Sequence, residues 1–229
     1  MQENPLVSVI VPLYNYAYYI EAALNSVFEQ SYRPIEVIVV DDGSTDNSAA
    51  IVRTYQDVRY YYQTNQSAAV ARNNGIAVAN GEFIAFLDAD DLWHPDKLSI
   101  QVSHMVAHPE VDITTTNVLS FLEPETQVPA WFKSDRELGE TNGIVPSAMV
   151  VRRNIFDQVG GFSAAHVPSE DTEWLCRVKD AGISIVTIPE PLTLRRLHGS
   201  NLTWQMISTA AARSLRIFRE SIARKSQNH

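Results

Sequence analysis

The chain is expected to fold as a single α/β domain on a mostly parallel central sheet, with helices on both faces and a mixed second half. Three observations carry this. Apolar runs and amphipathic helical runs alternate as β-α-β-α-β-α-β over about residues 6–92. The strands Leu6–Val11, Ile35–Val40 and Phe83–Leu87 are apolar runs, broken only by Ser8 and Glu36, rather than alternating, which marks strands buried on both faces of a parallel sheet. Polar residues follow the strand ends: Asn15, then Asp41 and Asp42, then Asp88, Asp90 and Asp91.

Taken in order, Leu6–Val11 is the first strand, closed by Pro12, and Asn15 can cap a helix over about 17–30. Ile35–Val40 is the second strand, with Gly43 allowing a tight turn and Ser44 or Thr45 capping a helix to about Tyr55. Val58–Gln63 is the third strand. A helix over about 67–79 stops at Asn80-Gly81, and Phe83–Leu87 follows, too short for a helix. The spacing then predicts a helix over 95–108 and a Thr-rich strand over 111–122. Residues 123–142 lack a period, as a lid or a disordered loop would. A strand over 144–151, a short helix ending at Gly160-Gly161, a helix from Ser169 to about Ala181 and strands over 183–188 and 192–197 complete the domain. From about Thr203 the tail is helical, with Ile207, Ala211, Leu215, Phe218 and Ile222 on one stripe and Arg213, Arg216, Arg219, Arg224 and Lys225 elsewhere. Such a basic amphipathic helix suits attachment to a membrane face or a partner, or packing on its own domain.

Composition excludes several classes. A net charge of −9 over 229 residues argues against general nucleic-acid binding. The lone Cys176 forms no internal disulfide and sits in a helical pattern as a core residue. No apolar run reaches the roughly 20 residues of a membrane span. The expectation is a cytoplasmic protein, at most attached to the inner face of the membrane.

Right-handed crossovers bring the strand carboxyl ends to one edge, where open α/β sheets bind ligands. Three carboxylates crowded at 88–91 raise one another's pKa unless a cation sits among them, and Mg²⁺ or Mn²⁺ takes such oxygens while bridging to phosphates. No glycine-rich phosphate cradle follows the first strand, which disfavours dinucleotide oxidoreductases and P-loop enzymes.

Val11-Pro12-Leu13-Tyr14-Asn15, Val40 to Asp46, Ala71-Arg72-Asn73-Asn74-Gly75-Ile76 and Phe86 to Asp91 stand in order at compatible spacing. Together with Val159-Gly160-Gly161-Phe162, Ser169-Glu170-Asp171 and Arg196-Leu197-His198-Gly199-Ser200, this set resembles family-2 inverting glycosyltransferases, which have the GT-A fold. The resemblance covers about residues 6–202. It implies transfer from a nucleoside-diphosphate-sugar, a UDP-sugar foremost, to a glycan or lipid-linked acceptor, with inversion and with Mn²⁺ or Mg²⁺. By matching positions, Pro12, Tyr14 and Asn15 would line the base pocket, and Asp42, with Asp41 beside it, would face the base. Arg72, Asp88 and Ala89 would lie along the nucleotide, and Asp90, Asp88 and His198 would hold the metal. Asp171 would be the general base, with Trp93, Glu170 and Trp131 on the acceptor side. About 6–92 would be the nucleotide-sugar half, about 93–202 the acceptor half and about 203–229 the terminal helix, through which a membrane or a second copy could be met. Ser67 departs from the glycine common in that loop and bears on how closely it approaches the donor. A sugar-phosphate nucleotidyltransferase is the rival enzyme, and a non-catalytic nucleotide-sugar-binding protein the rival class.

Overall fold

β1 (Val7–Leu13) is the strand around which the first half is built, paired in parallel with β2 (Ile35–Asp41) on one side and β4 (Phe83–Phe86) on the other. β3 (Val58–Tyr62) extends β2, also in parallel. The computed structural model describes residues 4–128, 132, 138–141, 145–201, 217, 220 and 221. Their strands form one sheet in the order β3-β2-β1-β4-β8-β6-β9-β5, with β7 (Gly139–Thr141) off this path against β6. β4 meets β8 (Val150–Arg152) antiparallel, β8 meets β6 (Ile113–Leu122) antiparallel, and β6 meets β9 (Ile185–Leu197) in parallel. β5 (Leu92–Trp93) closes the order, antiparallel to β9.

Strand alternation splits the core in two. Val7, Val9, Val11 and Leu13 face one layer, packed by α1 (Ile20–Phe28), α2 (Ser48–Val52) and α4 (Lys97–Ala107). Ile10, Ile38, Val40, Ile84 and Phe86 face the other, under α3 (Ala68–Val78), α5 (Asn154–Val159) and α6 (Glu170–Asp180). α3 lies close on the sheet because Gly75 has no side chain: a Cβ there would stand 2.4 Å from Ile10 Cγ2. One turn before Gly75, Arg72 is thereby held at the edge where β1, β2 and β4 end.

Several expected elements change character. The strands expected over 183–188 and 192–197 are one strand, whose parallel register with β6 slips around Asn117, opposite Pro189 and Pro191. A proline cannot donate to a ladder, so the pairing yields a bulge there, and Asn117 Nδ2 donates to Pro189 O instead. The strand expected over 144–151 begins as a 3-10 turn at Pro146–Ala148 and extends only at β8. Among the described residues, no helix is long and apolar enough to cross a membrane. The tail stripe and its basic residues lie outside the described residues. At those that are described, Ile217 is fully buried, Glu220 meets His166 and Ser221 bonds Asp180, so the tail packs on its own domain there.

Candidate active site

A cavity of about 670 Å³ opens at the carboxyl ends of β1, β2 and β4 and is completed by the second half of the chain. Its size suits a nucleotide-sized ligand. Pro12, Tyr14, Asn15, Asp42, Arg72, Asp88, Ala89, Asp90, Glu170 and Asp171 all line it, so ten of the expected site residues meet at one place.

The wall after β1 and β2 is fastened by side-chain hydrogen bonds. Asn15 takes a φ of 55°, and its Oδ1 accepts from Thr45 N at 2.7 Å, pinning the turn after β2. Asp42 accepts at Oδ1 from Gln63 Nε2 and Gln66 N, both at 2.7 Å, and at Oδ2 from Ser67 N at 2.9 Å. Its carboxylate therefore shapes the loop before α3. Ser67 holds a φ of 146°, a conformation glycine adopts more easily, so the loop keeps a glycine-like path despite the side chain. Asp41, expected beside the base, does not line the cavity. Successive strand residues point oppositely, and Asp41 is fully buried, accepting from Tyr60 OH at 2.6 Å and Ser44 N at 2.8 Å.

The centre is a buried charge bridge. Arg72 donates to Asp88 Oδ1 at 2.7 Å and to Glu170 Oε1 at 2.8 Å. The two carboxylates outweigh burial and hold its guanidinium above the ordinary range. Glu170, expected on the acceptor side, is 5% exposed and turned in to this arginine. Asn73, next on α3, clasps the 160–162 loop by donating to Phe162 O and accepting from Phe162 N, both at 2.8 Å. These contacts join the two halves.

Asp171 sits one residue on, in the first turn of α6. Ser169 stands at the N-cap of this helix, but its hydroxyl makes no capping bond. Asp171 Oδ1 instead accepts from its neighbour Thr172 N at 2.6 Å, which orients the carboxylate. Burial first, and then the Glu170 carboxylate, raise its pKa above the ordinary aspartate value.

The carboxylates after β4 divide the work. Asp90 Oδ2 accepts from Asn201 Nδ2 at 3.0 Å and pairs with His198 Nε2 at 3.0 Å. His198, expected as a metal ligand, is buried against Asp90 and does not line the cavity: its other nitrogen lies 2.7 Å from Ser200 Oγ, and Tyr19 stacks on its ring at 4.5 Å. Asp91 is buried and accepts from Arg196 N at 3.1 Å; burial, then Asp90 and Asp88, hold its carboxyl well above the usual range. Tyr16 was not singled out in the sequence, yet it hydrogen-bonds Asp90, and burial with that carboxylate raises its phenol. Asn201 was missed as well; the Gly199-Ser200 turn after His198 was the available signal. Trp93 belongs to the core rather than to an acceptor site, being 3% exposed with Nε1 donating to Ser147 O at 2.7 Å. Trp131 lies outside the described residues.

Asp88 and Asp90 bring hard oxygens to the cavity wall, while among the described residues no three His, Cys, Asp or Glu form a cage. That donor set fits a divalent ion completed by phosphate oxygens and water, the habit of Mg²⁺ in particular.

Comparison with known proteins agrees with this geometry. The family profile described as Glycosyl transferase family 2 matches residues 8–162. An uncharacterized glycosyltransferase of Nostoc sp. is 33% identical over 219 residues, covering 85% of this chain and 66% of that protein. The UDP-Glc:alpha-D-GlcNAc-diphosphoundecaprenol beta-1,3-glucosyltransferase WfgD of Escherichia coli is 33% identical over 213 residues, covering 88% of this chain and 81% of that one. A putative teichuronic acid biosynthesis glycosyltransferase of Bacillus subtilis, TuaG, is 45% identical over 108 residues, 43% of its length. Among solved structures, the mannosyltransferase PcManGT of Pyrobaculum calidifontis, in complex with GDP-Man and Mn²⁺, superposes with a TM-score of 0.72 at 23% identity, over 96% of this chain and 65% of that one. TarS 1-349 of S. aureus, in complex with UDP, gives 0.68 at 22%, over 83% and 60%. These two likenesses speak to the GT-A fold.

Proposed function

The chain belongs to glycosyl transferase family 2, and from that premise we propose that it moves a sugar from a nucleoside-diphosphate-sugar to an acceptor hydroxyl with inversion, in the synthesis of an envelope polysaccharide, glycan or glycolipid. The observation that carries this reading is the Arg72 bridge, which sets Asp171 on the same cavity as Asp88 and Asp90 although they are some eighty residues apart. Inversion needs the base and the leaving group on opposite faces of the sugar. Carboxylates from the two halves of the chain supply such a pair of walls.

In this reading Pro12 and Tyr14 flank the nucleotide and Asp42 holds the loop that closes over it. Asp90 and Asp88 hold a divalent cation, which when bound neutralises the charge growing on the departing diphosphate. His198 and Asn201 keep Asp90 aimed at the cavity. Asp171 accepts the acceptor's hydroxyl proton as the new C–O bond forms, a contribution worth about 10²–10⁴ in rate. A UDP-sugar is the favoured donor: WfgD is named for UDP-Glc and a TarS structure holds UDP-GlcNAc, although PcManGT holds GDP-Man.

A panel of UDP-, GDP- and dTDP-sugars, read by thermal stabilisation with Mn²⁺ and with chelator, tests the donor assignment. One nucleotide series should raise the melting temperature in a metal-dependent way, because a ligand of the native state stabilises it. A panel with no stabilising member would reject it.

A further inference from the structure

Three cations line the cavity: Arg72, Arg195 and Arg196. Arg72 is engaged by Asp88 and Glu170. Arg196 is engaged by Glu123, donates from Nε to the Asp90 carbonyl at 3.0 Å and lies over the rings of Tyr19 and Phe121. Arg195 has no ion pair or side-chain hydrogen bond among the described residues, although carboxylates line the same cavity. It is not there to neutralise a neighbour.

Its place in the fold says which part of the cavity it serves. The stretch 193–197 of β9 pairs in unbroken register with β6, so side chains alternate along it. Arg195 therefore shares a face with Thr193, whose Oγ1 donates to Ser147 O at 3.4 Å, and that face looks toward the 145–147 turn. Val145 and Pro146 of this turn, with Val167 and Pro168 before α6, give the cavity an apolar stretch on its second-half wall. Asp171 stands on the same wall. The carboxylates proposed to meet the donor diphosphate stand after β4, in the first half.

We propose that Arg195 is the anion-binding residue of the acceptor subsite, and that the acceptor carries a phosphoryl or carboxylate group beside the hydroxyl that attacks. A guanidinium presents paired donors that match two oxygens of either group, and an unpaired one in a partly enclosed site binds them better than in open water. The adjoining apolar wall suits an acceptor with an apolar portion next to its charge. This inference rests on the glycosyltransferase reading of the cavity.

Calorimetric titration of the full chain, first with UDP or GDP plus Mn²⁺ and then with acceptor probes at saturating nucleotide, tests it. The probes are geranyl phosphate, methyl glucuronide and neutral methyl glucoside. At least one anionic probe should bind tenfold or more tighter than the neutral one. Arg195→Gln should remove that preference, about a ten- to hundredfold loss for one charge-assisted contact, while nucleotide affinity stays within about twofold. Arg195→Lys should restore part of the preference. Tightest binding of geranyl phosphate would assign a phosphoryl group on an apolar chain, and of the glucuronide an acidic sugar. Equal binding of all three probes, or a preference that survives Arg195→Gln, would overturn the proposal. A fall in nucleotide affinity in Arg195→Gln would move the residue to the donor site and overturn it too. Failure of the parent chain to bind either nucleotide would reject the glycosyltransferase reading itself, a result visible before any acceptor probe is added.

Discussion

Arg72 donates 2.7 Å to Asp88 and 2.8 Å to Glu170, tying the carboxyl end of β4 to the first turn of α6. One residue of α3 thus sets the distance between the two halves of the cavity. Arg72 and Glu170 are buried, while the Asp88 side chain is 32% exposed, so the Glu170 arm dominates the energetics and the Asp88 arm is screened. Removing one partner of a buried pair leaves the other charged and unsolvated. Arg72→Met should therefore destabilise the fold by about 2–4 kcal/mol in urea denaturation and weaken nucleotide binding. A variant with parental stability and affinity would contradict the bridge.

Asp171 links the geometry to pH. Its carboxyl titrates above the ordinary aspartate value of about 3.9 because it is buried beside Glu170. The proposed base must be ionised to act, so turnover should fall as the pH drops through this raised pKa. The acid limb of the kcat profile then lies at higher pH than an unperturbed aspartate would give. Glu170→Gln removes the like charge and should move that limb to lower pH. An acid limb unmoved by the substitution would separate Glu170 from the base.

Nucleotide binding should depend on a divalent cation through Asp90. With Mn²⁺ and the preferred nucleotide, the parent chain should melt several degrees higher than with chelator. Asp90→Asn should lose that increment while its unliganded melting temperature stays close to the parent's. Equal stabilisation with and without chelator would remove the cation from the account.

Lys97 marks a weakness in the core. It is fully buried on α4, its Nζ has no hydrogen-bond partner among the described residues, and it lies 4.2 Å from the centre of the Trp93 ring. Desolvation lowers its pKa well below the ordinary value, so folding opposes protonation, and stability should rise with pH toward about 10.4. Lys97→Met fills a similar volume without the amine and should stabilise the protein by about 1–3 kcal/mol near pH 7, with a smaller gain at pH 10. A loss of stability would show that the amine has a partner.

Most of the sheet could be read from the sequence because doubly buried strands are apolar on both faces rather than alternating, as nearly throughout Val7–Leu13 and throughout Phe83–Phe86. β5 and β7 could not, being two and three residues long and held by tertiary pairing alone. β9 read as two strands because Pro189 and Pro191 interrupt its pattern, and only the β6 register shows that a bulge absorbs them. In the site, residue types and order located the cavity, but not the direction of each side chain. Asp41 and Asp42 are neighbours, yet strand alternation buries one against Tyr60 and leaves the other at the cavity wall. Glu170 turns inward because Arg72 offers a partner 98 residues away, which no local pattern encodes. His198 has its place through Asp90, 108 residues distant, a contact that no local pattern encodes.

The most direct test of the account is Asp171→Asn, measured for both turnover and donor affinity. The substitution keeps the shape and removes the basicity. It also relieves a buried carboxylate beside Glu170 that costs stability as pH rises through its raised pKa, so the variant should fold at neutral pH at least as stably as the parent. Donor affinity, measured by calorimetry with Mn²⁺, should stay within about threefold, and kcat should fall at least about a hundredfold. Retained turnover, or a loss of donor binding that matches the loss of rate, would contradict the assignment of Asp171 as the base.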